Sequence, residues 1–108
     1  MFVDTHCHLY KEYYGNIEEV IQNSKSNGII KFINAGCDKS TNEEVLSIKN
    51  DSVYAVIGYH PEFANDITEE DISLLEKKLN NSNVIGIGEI GLDYHYDIDK
   101  NRQKEVFK

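Results

Sequence analysis

Short runs of aliphatic and β-branched residues alternate along this chain with longer stretches in which apolar positions recur every three or four residues. The short runs cover residues 2–9, 29–35, 53–57 and 84–89, and glycine follows the second and third directly, at Gly36 and Gly58. Each run is apolar on both faces for much of its length, the pattern of parallel strands covered on both sides. The stretches between them read as helices. Asn16 is a cap with Glu19 three residues on; Ile17, Val20, Ile21 and Ser24 then share a face, and Gly28 is the stop. Thr41 with Glu44 repeats the capping pattern ahead of Val45, Leu46 and Ile48. Thr68 precedes Glu69, Glu70 and Asp71, acids that the helix dipole favours in a first turn, and Ile72, Leu75 and Leu79 follow at helical spacing. A fourth helix is expected to begin near Asp99 and to run through Arg102, Val106 and Phe107.

Four strand–helix units in succession define an α/β protein with a parallel sheet. A TIM-type (β/α) barrel needs eight such units and about 250 residues. These 108 residues, ending in a helical pattern with no Gly, Asn or Pro to close it, are expected to be about the first half of one such domain, with no second domain. A half of this kind would leave strand edges and the future barrel interior uncovered, so self-association or pairing with a C-terminal half is expected.

Composition narrows the class. Hydrophobic residues make up 40% and charged residues 28%, with seven Tyr and four Phe, a folded rather than disordered profile. A net charge of −8 argues against gripping nucleic acid through a broad basic face. It leaves room for an enzyme that meets phosphates through bound cations, where the ions are the local positive charge. Cys7 and Cys37 have no C-x-x-C spacing and read as reduced, buried thiols. With no basic-then-apolar leader and no apolar run of membrane-spanning length, a cytoplasmic, non-membrane protein is expected.

Candidate chemistry falls at the ends of the strand runs. Strand alternation puts His6 and His8 on one face with Asp4 and sends Cys7 to the other. Two imidazoles there form half of a divalent-metal site; a solvent-facing pair is the competing reading. The same alternation disfavours a Cys–His nucleophile pair. Glu89 closes the fourth run within Gly88-Glu89-Ile90-Gly91-Leu92-Asp93-Tyr94, and a carboxylate can bridge two cations. His60, made extended by Pro61, is a candidate for phosphate contact, with ligation or a loop role as alternatives. Arg102 is a second candidate phosphate contact, set against an exposed salt bridge. His95, among Tyr94 and Tyr96, reads as a solvated loop residue, and Asn34 and Cys37 as pocket lining.

Three of these segments together resemble the TatD family of metal-dependent deoxyribonucleases: Phe2-Val3-Asp4-Thr5-His6-Cys7-His8-Leu9, Gly58-Tyr59-His60-Pro61, and Gly88-Glu89-Ile90-Gly91-Leu92-Asp93-Tyr94. The resemblance extends through residues 102–107 and so spans the chain. It implies a TIM-type barrel with two divalent cations (Mg, Mn or Zn), His6 and His8 on one, Glu89 bridging both as the catalytic carboxylate, and His60 near the scissile phosphate. It further implies DNA or an oligonucleotide as substrate, and two histidines and an aspartate from later strands as the remaining ligands. Tyr10, where the family usually has an acid, and Glu62, where it often has a histidine, depart from the pattern. A hydrolase of small-molecule esters or amides, and a non-catalytic half-barrel, are the alternatives.

Overall fold

In the computed structural model, which describes residues 1–108, four parallel strands lie in sequence order: β1 (Phe2–Cys7), β2 (Ile29–Ala35), β3 (Val53–Ile57) and β4 (Val84–Ile87). Helices α1 (Ile17–Ser26), α2 (Lys39–Ser47), α3 (Glu69–Lys78) and α4 (Lys100–Phe107) alternate with them, and a 3-10 turn (Pro61–Asp66) follows β3. Neighbouring parallel strands joined by crossovers in unbroken order are the arrangement of a barrel wall. No helix is long and apolar enough to cross a membrane.

The helix starts follow from local chemistry. The side chains of Asn16, Thr68 and Asp99 accept from the backbone N–H groups of Glu19, Asp71 and Arg102, satisfying donors that the first helical turn leaves without partners. The start of α2 differs from the expectation. Asp38 is its cap, and Thr41 is the third helical residue, closing a reciprocal box with Asp38. After α1 the chain turns at Gly28, whose φ of +94° suits a residue without a Cβ.

The core divides in two. Leu9, Ile21, Phe32 and Val53 pack under α1; Tyr10, Val45, Leu46, Ala55, Ile57, Tyr59, Ile67 and Leu75 pack under α2 and α3. Val53, Ala55 and Ile57 alternate along β3 with half-buried Tyr54 and Val56, so the strand seals one face only. The expectation of strands covered on both sides is therefore corrected. On the edge strands Val3, Ile85 and Ile87 are exposed, because the helices of this chain cover one side of the sheet.

Candidate metal centre

All four strands run the same way, so their C-terminal ends share one rim, and the candidate residues lie there. β1 ends at Cys7, after which the Tyr10 N–H turns back to the His8 carbonyl. β4 ends at Ile87, two residues earlier than the apolar run indicates. There Gly88 N–H still bonds to the Ile57 carbonyl at 3.0 Å, but Glu89 N–H reaches across to the Gly36 carbonyl at 2.9 Å. That crossing carries Glu89 over the strand ends toward β1. Gly58 makes the passage possible, since a Cβ there would lie 2.8 Å from the Glu89 carbonyl oxygen and the Gly88 carbonyl carbon.

The result is a three-residue cluster. His6 Nε2 lies 3.2 Å from His8 Nε2 and 3.2 Å from Glu89 Oε1, and one donor atom from each of the three falls within 4.8 Å of the others. Two imidazoles and a carboxylate so close present converging lone pairs, the donor set of a zinc- or manganese-type site. His6 is exposed and the other two are half-buried, so the cluster is open to solvent. The cleft of about 460 Å³ beside it is lined in part by His6, Val56, His60, Glu89 and Asp93.

His60 thus shares the cleft with the cluster. Its backbone is extended, at φ −61° and ψ 141°, and its Nδ1 accepts from the Glu62 N–H at 3.3 Å. The Glu62 carboxylate also lies near the same nitrogen, its Oε1 at 3.5 Å, so Glu62 faces Nδ1 through both its backbone and its side chain. Arg102 is not brought to the cleft. Its guanidinium donates to the Ala64 carbonyl at 3.2 Å, to the Ile67 carbonyl, and to Glu105 at 3.0 Å, tying α4 to the 3-10 turn. The Ala64 carbonyl also accepts from the Ile67 N–H at 3.5 Å, and the two carbonyls with Glu105 occupy the fork that a phosphate would need. His95 is exposed, with its ring against Tyr96.

Cys7 faces away from the histidines and donates to the Ile33 carbonyl. Burial, with a smaller push from Asp4, raises its thiol to about 12, so it stays protonated at neutral pH and is a poor nucleophile. Burial likewise holds the Tyr10 phenol well above its usual range.

Three buried amides that the sequence reading had not given structural roles hold the loops of the site. The Asn42 side chain donates to the Gly58 carbonyl at 2.7 Å and accepts from the Gly58 N–H at 3.1 Å. Gln103 clamps Asp93 in the same two-way fashion, both bonds 2.9 Å. Asn34, expected only to line the pocket, accepts from the Leu9 N–H at 2.8 Å. Each amide bonds to the backbone of a residue within one of the three motif segments. A sequence signal existed: Asn42 stands three and four residues before Val45 and Leu46, and Gln103 three and four before Val106 and Phe107. Each is a polar residue in phase with an apolar stripe.

Comparison with known proteins agrees with this geometry. The family model described as TatD related DNase matches residues 3–108. An uncharacterized metal-dependent hydrolase of Bacillus subtilis, YabD, is 40% identical over the whole of this chain and 44% of its own length. The human 3'-5' RNA nuclease TATDN2 is 30% identical over 88% of this chain and 14% of its own. A crystal structure of YjjV, a TatD homologue of Escherichia coli, superposes with a TM-score of 0.88 at 28% identity, covering 98% of this chain and 43% of that one. The chain thus spans less than half the length of these relatives, and its four strands correspond to the first half of a barrel. By its matched segments, its fold and the relatives it resembles, the chain belongs to the TatD-related DNase family.

Proposed function

We propose that the protein carrying this chain is a metal-dependent phosphodiesterase acting on DNA or oligonucleotides, with His6, His8 and Glu89 as part of a centre for two divalent ions. The observation that carries this reading is the convergence of His6 Nε2, His8 Nε2 and a Glu89 oxygen within 4.8 Å on the rim where the parallel strands end. Bound divalent ions would supply Lewis-acid polarisation of a phosphoryl oxygen and a water activated near neutral pH. The chain's own residues have narrower tasks. Glu89 offers two carboxylate oxygens to the centre, one of them 3.2 Å from His6 Nε2. His60, with Nδ1 turned to Glu62, has its Nε2 free to meet a phosphate oxygen in the shared cleft. Arg102, occupied by the 3-10 turn, is left out of this reading. The relatives this chain matches are more than twice its length, and further ligands would have to come from outside these 108 residues. The nuclease name of TATDN2 supports a phosphodiester substrate over a small-molecule ester or amide.

A substrate panel tests the reading. The complete gene product, with Mn²⁺ or Zn²⁺ added, is expected to degrade oligonucleotides and to lose that activity with Glu89→Ala. Turnover of carboxyl esters or amides with oligonucleotides left intact would overturn it.

A further inference from the structure

His8 and His6 differ in how they are held. Nothing in the chain bonds to the second ring nitrogen of His6, whereas His8 Nδ1 lies 3.0 Å from the Ala35 carbonyl oxygen and 2.9 Å from the Tyr10 hydroxyl oxygen. The Tyr10 hydroxyl in turn donates to the same Ala35 carbonyl. One arrangement of protons satisfies all three contacts. A carbonyl only accepts, so the bond to Ala35 requires a proton on His8 Nδ1. The Tyr10 proton is directed to Ala35, so the phenol oxygen receives part of the Nδ1–H. His8 Nε2 is then a bare lone pair, facing His6 Nε2 at 3.2 Å. His6 Nε2 also lies 3.2 Å from Glu89 Oε1, so the three side chains converge on one point.

We propose that Tyr10 is a positioning residue for this centre: with the Ala35 carbonyl, its hydroxyl holds the His8 ring as the Nδ1–H tautomer and aims Nε2 at the cluster. The inference rests on the metal-site reading. A partner on the far nitrogen fixes both the tautomer and the orientation of a ligating histidine, a task often given to a carboxylate. Here a neutral phenol and a carbonyl do it, adding no further negative charge beside Glu89. Tyr10 suits the task because its ring is 4% exposed and packs in the core with Val45, Ile57 and Leu75. The hydroxyl is therefore delivered by the core, not by a mobile loop.

The test uses the complete gene product and two variants. Tyr10→Phe keeps the ring and removes the hydroxyl; Val45→Ala loosens the same core without touching His8. Zn²⁺ titration by calorimetry is expected to show affinity about 10- to 100-fold weaker in Tyr10→Phe and unchanged in Val45→Ala, although Val45→Ala has the lower melting temperature. Histidine ¹⁵N NMR of the metal-free protein is expected to show His8 protonated on Nδ1, with that proton exchanging faster in Tyr10→Phe. Wild-type affinity in Tyr10→Phe, an equal loss in Val45→Ala, or a His8 proton on Nε2 would each overturn the role of Tyr10. Failure of the unsubstituted protein to take up Zn²⁺ or Mn²⁺ at all would overturn the metal reading itself, and with it that role.

Discussion

On the helix side of β3, Val53, Ala55 and Ile57 are closed over by the helices; on the opposite side Ile85 and Ile87 of β4 are more than half exposed, at 53% and 55%, and at its rim His6 stands exposed beside Glu89. The first region is organised by apolar contact, the second by lone pairs. The contrast teaches where each kind of substitution should register. Removing a methyl group from the helix side should cost stability and leave a folded centre intact; removing a donor from the rim should cost metal and leave the fold alone. Ile57→Ala should take about 2–5 kcal/mol off the unfolding free energy as a cavity opens. Denaturant titration would read this, with Zn²⁺ affinity of the folded fraction little changed. Equal losses on both measures would erase the distinction between the regions.

Glu89→Ala is the mirror experiment. The Glu89 side chain is half-buried and its one polar side-chain contact is His6, so metal-free stability should move by no more than about 0.5 kcal/mol. Metal affinity should fall by more than about 100-fold, beyond the range seen for the groups that merely support ligands. A large drop in melting temperature without metal would show that the carboxylate also holds the rim together.

Asn42→Ala probes the seam between the two regions. Asn42 is buried at the base of α2, yet its two bonds hold the Gly58 peptide, which lies against Glu89 and leads into His60. Leaving a buried N–H and carbonyl without partners costs about 1–3 kcal/mol for each group. Both measures should therefore fall together, stability in denaturant and Zn²⁺ affinity in calorimetry. A stability loss with no change in affinity would place Asn42 wholly on the helix side.

The same contrast explains what could be read from the sequence. β2 and β3 were legible residue for residue, because buried apolar runs bounded by glycine leave little choice. The pairing of His6 with His8 followed from strand alternation, and Glu89 from its place after a strand run. The start of α2 was misplaced because Asp38, Thr41 and Glu44 stand three apart, and a capping pair is equally well spelled in either phase. For Arg102 the sequence leaves a phosphate contact and an exposed salt bridge open; the structure shows the salt bridge, to Glu105, and adds the Ala64 and Ile67 carbonyls, 38 and 35 residues away, which no periodicity reveals. The clamps of Asn42 and Gln103, and the pairing of Tyr10 with His8 and Ala35, are likewise tertiary bonds. A pattern of apolar periodicity does not encode the partner of a buried amide or hydroxyl.

The smallest effect belongs to the outer surface of the helix side. Lys39 of α2 bridges to Asp71 of α3 at 2.8 Å, and the same Asp71 oxygen accepts from the Thr68 N–H and hydroxyl. The bond from Lys39, then those from Thr68, lower the Asp71 carboxyl from its ordinary 3.8 to about 2. A carboxylate whose folded value is depressed stabilises the protein at pH above its unfolded value and loses that contribution as pH falls through the folded one. The Asp71 share should therefore be fully present above about pH 4 and fade toward pH 2, modestly, since exposed pairs of this kind are screened by solvent. Asp71→Asn should flatten that part of the acid dependence of the melting temperature while leaving Zn²⁺ affinity at neutral pH untouched. An unchanged acid profile in the variant would mean that other carboxylates set it, and a weakened centre at neutral pH would mean that the joint between α2 and α3 reaches the rim.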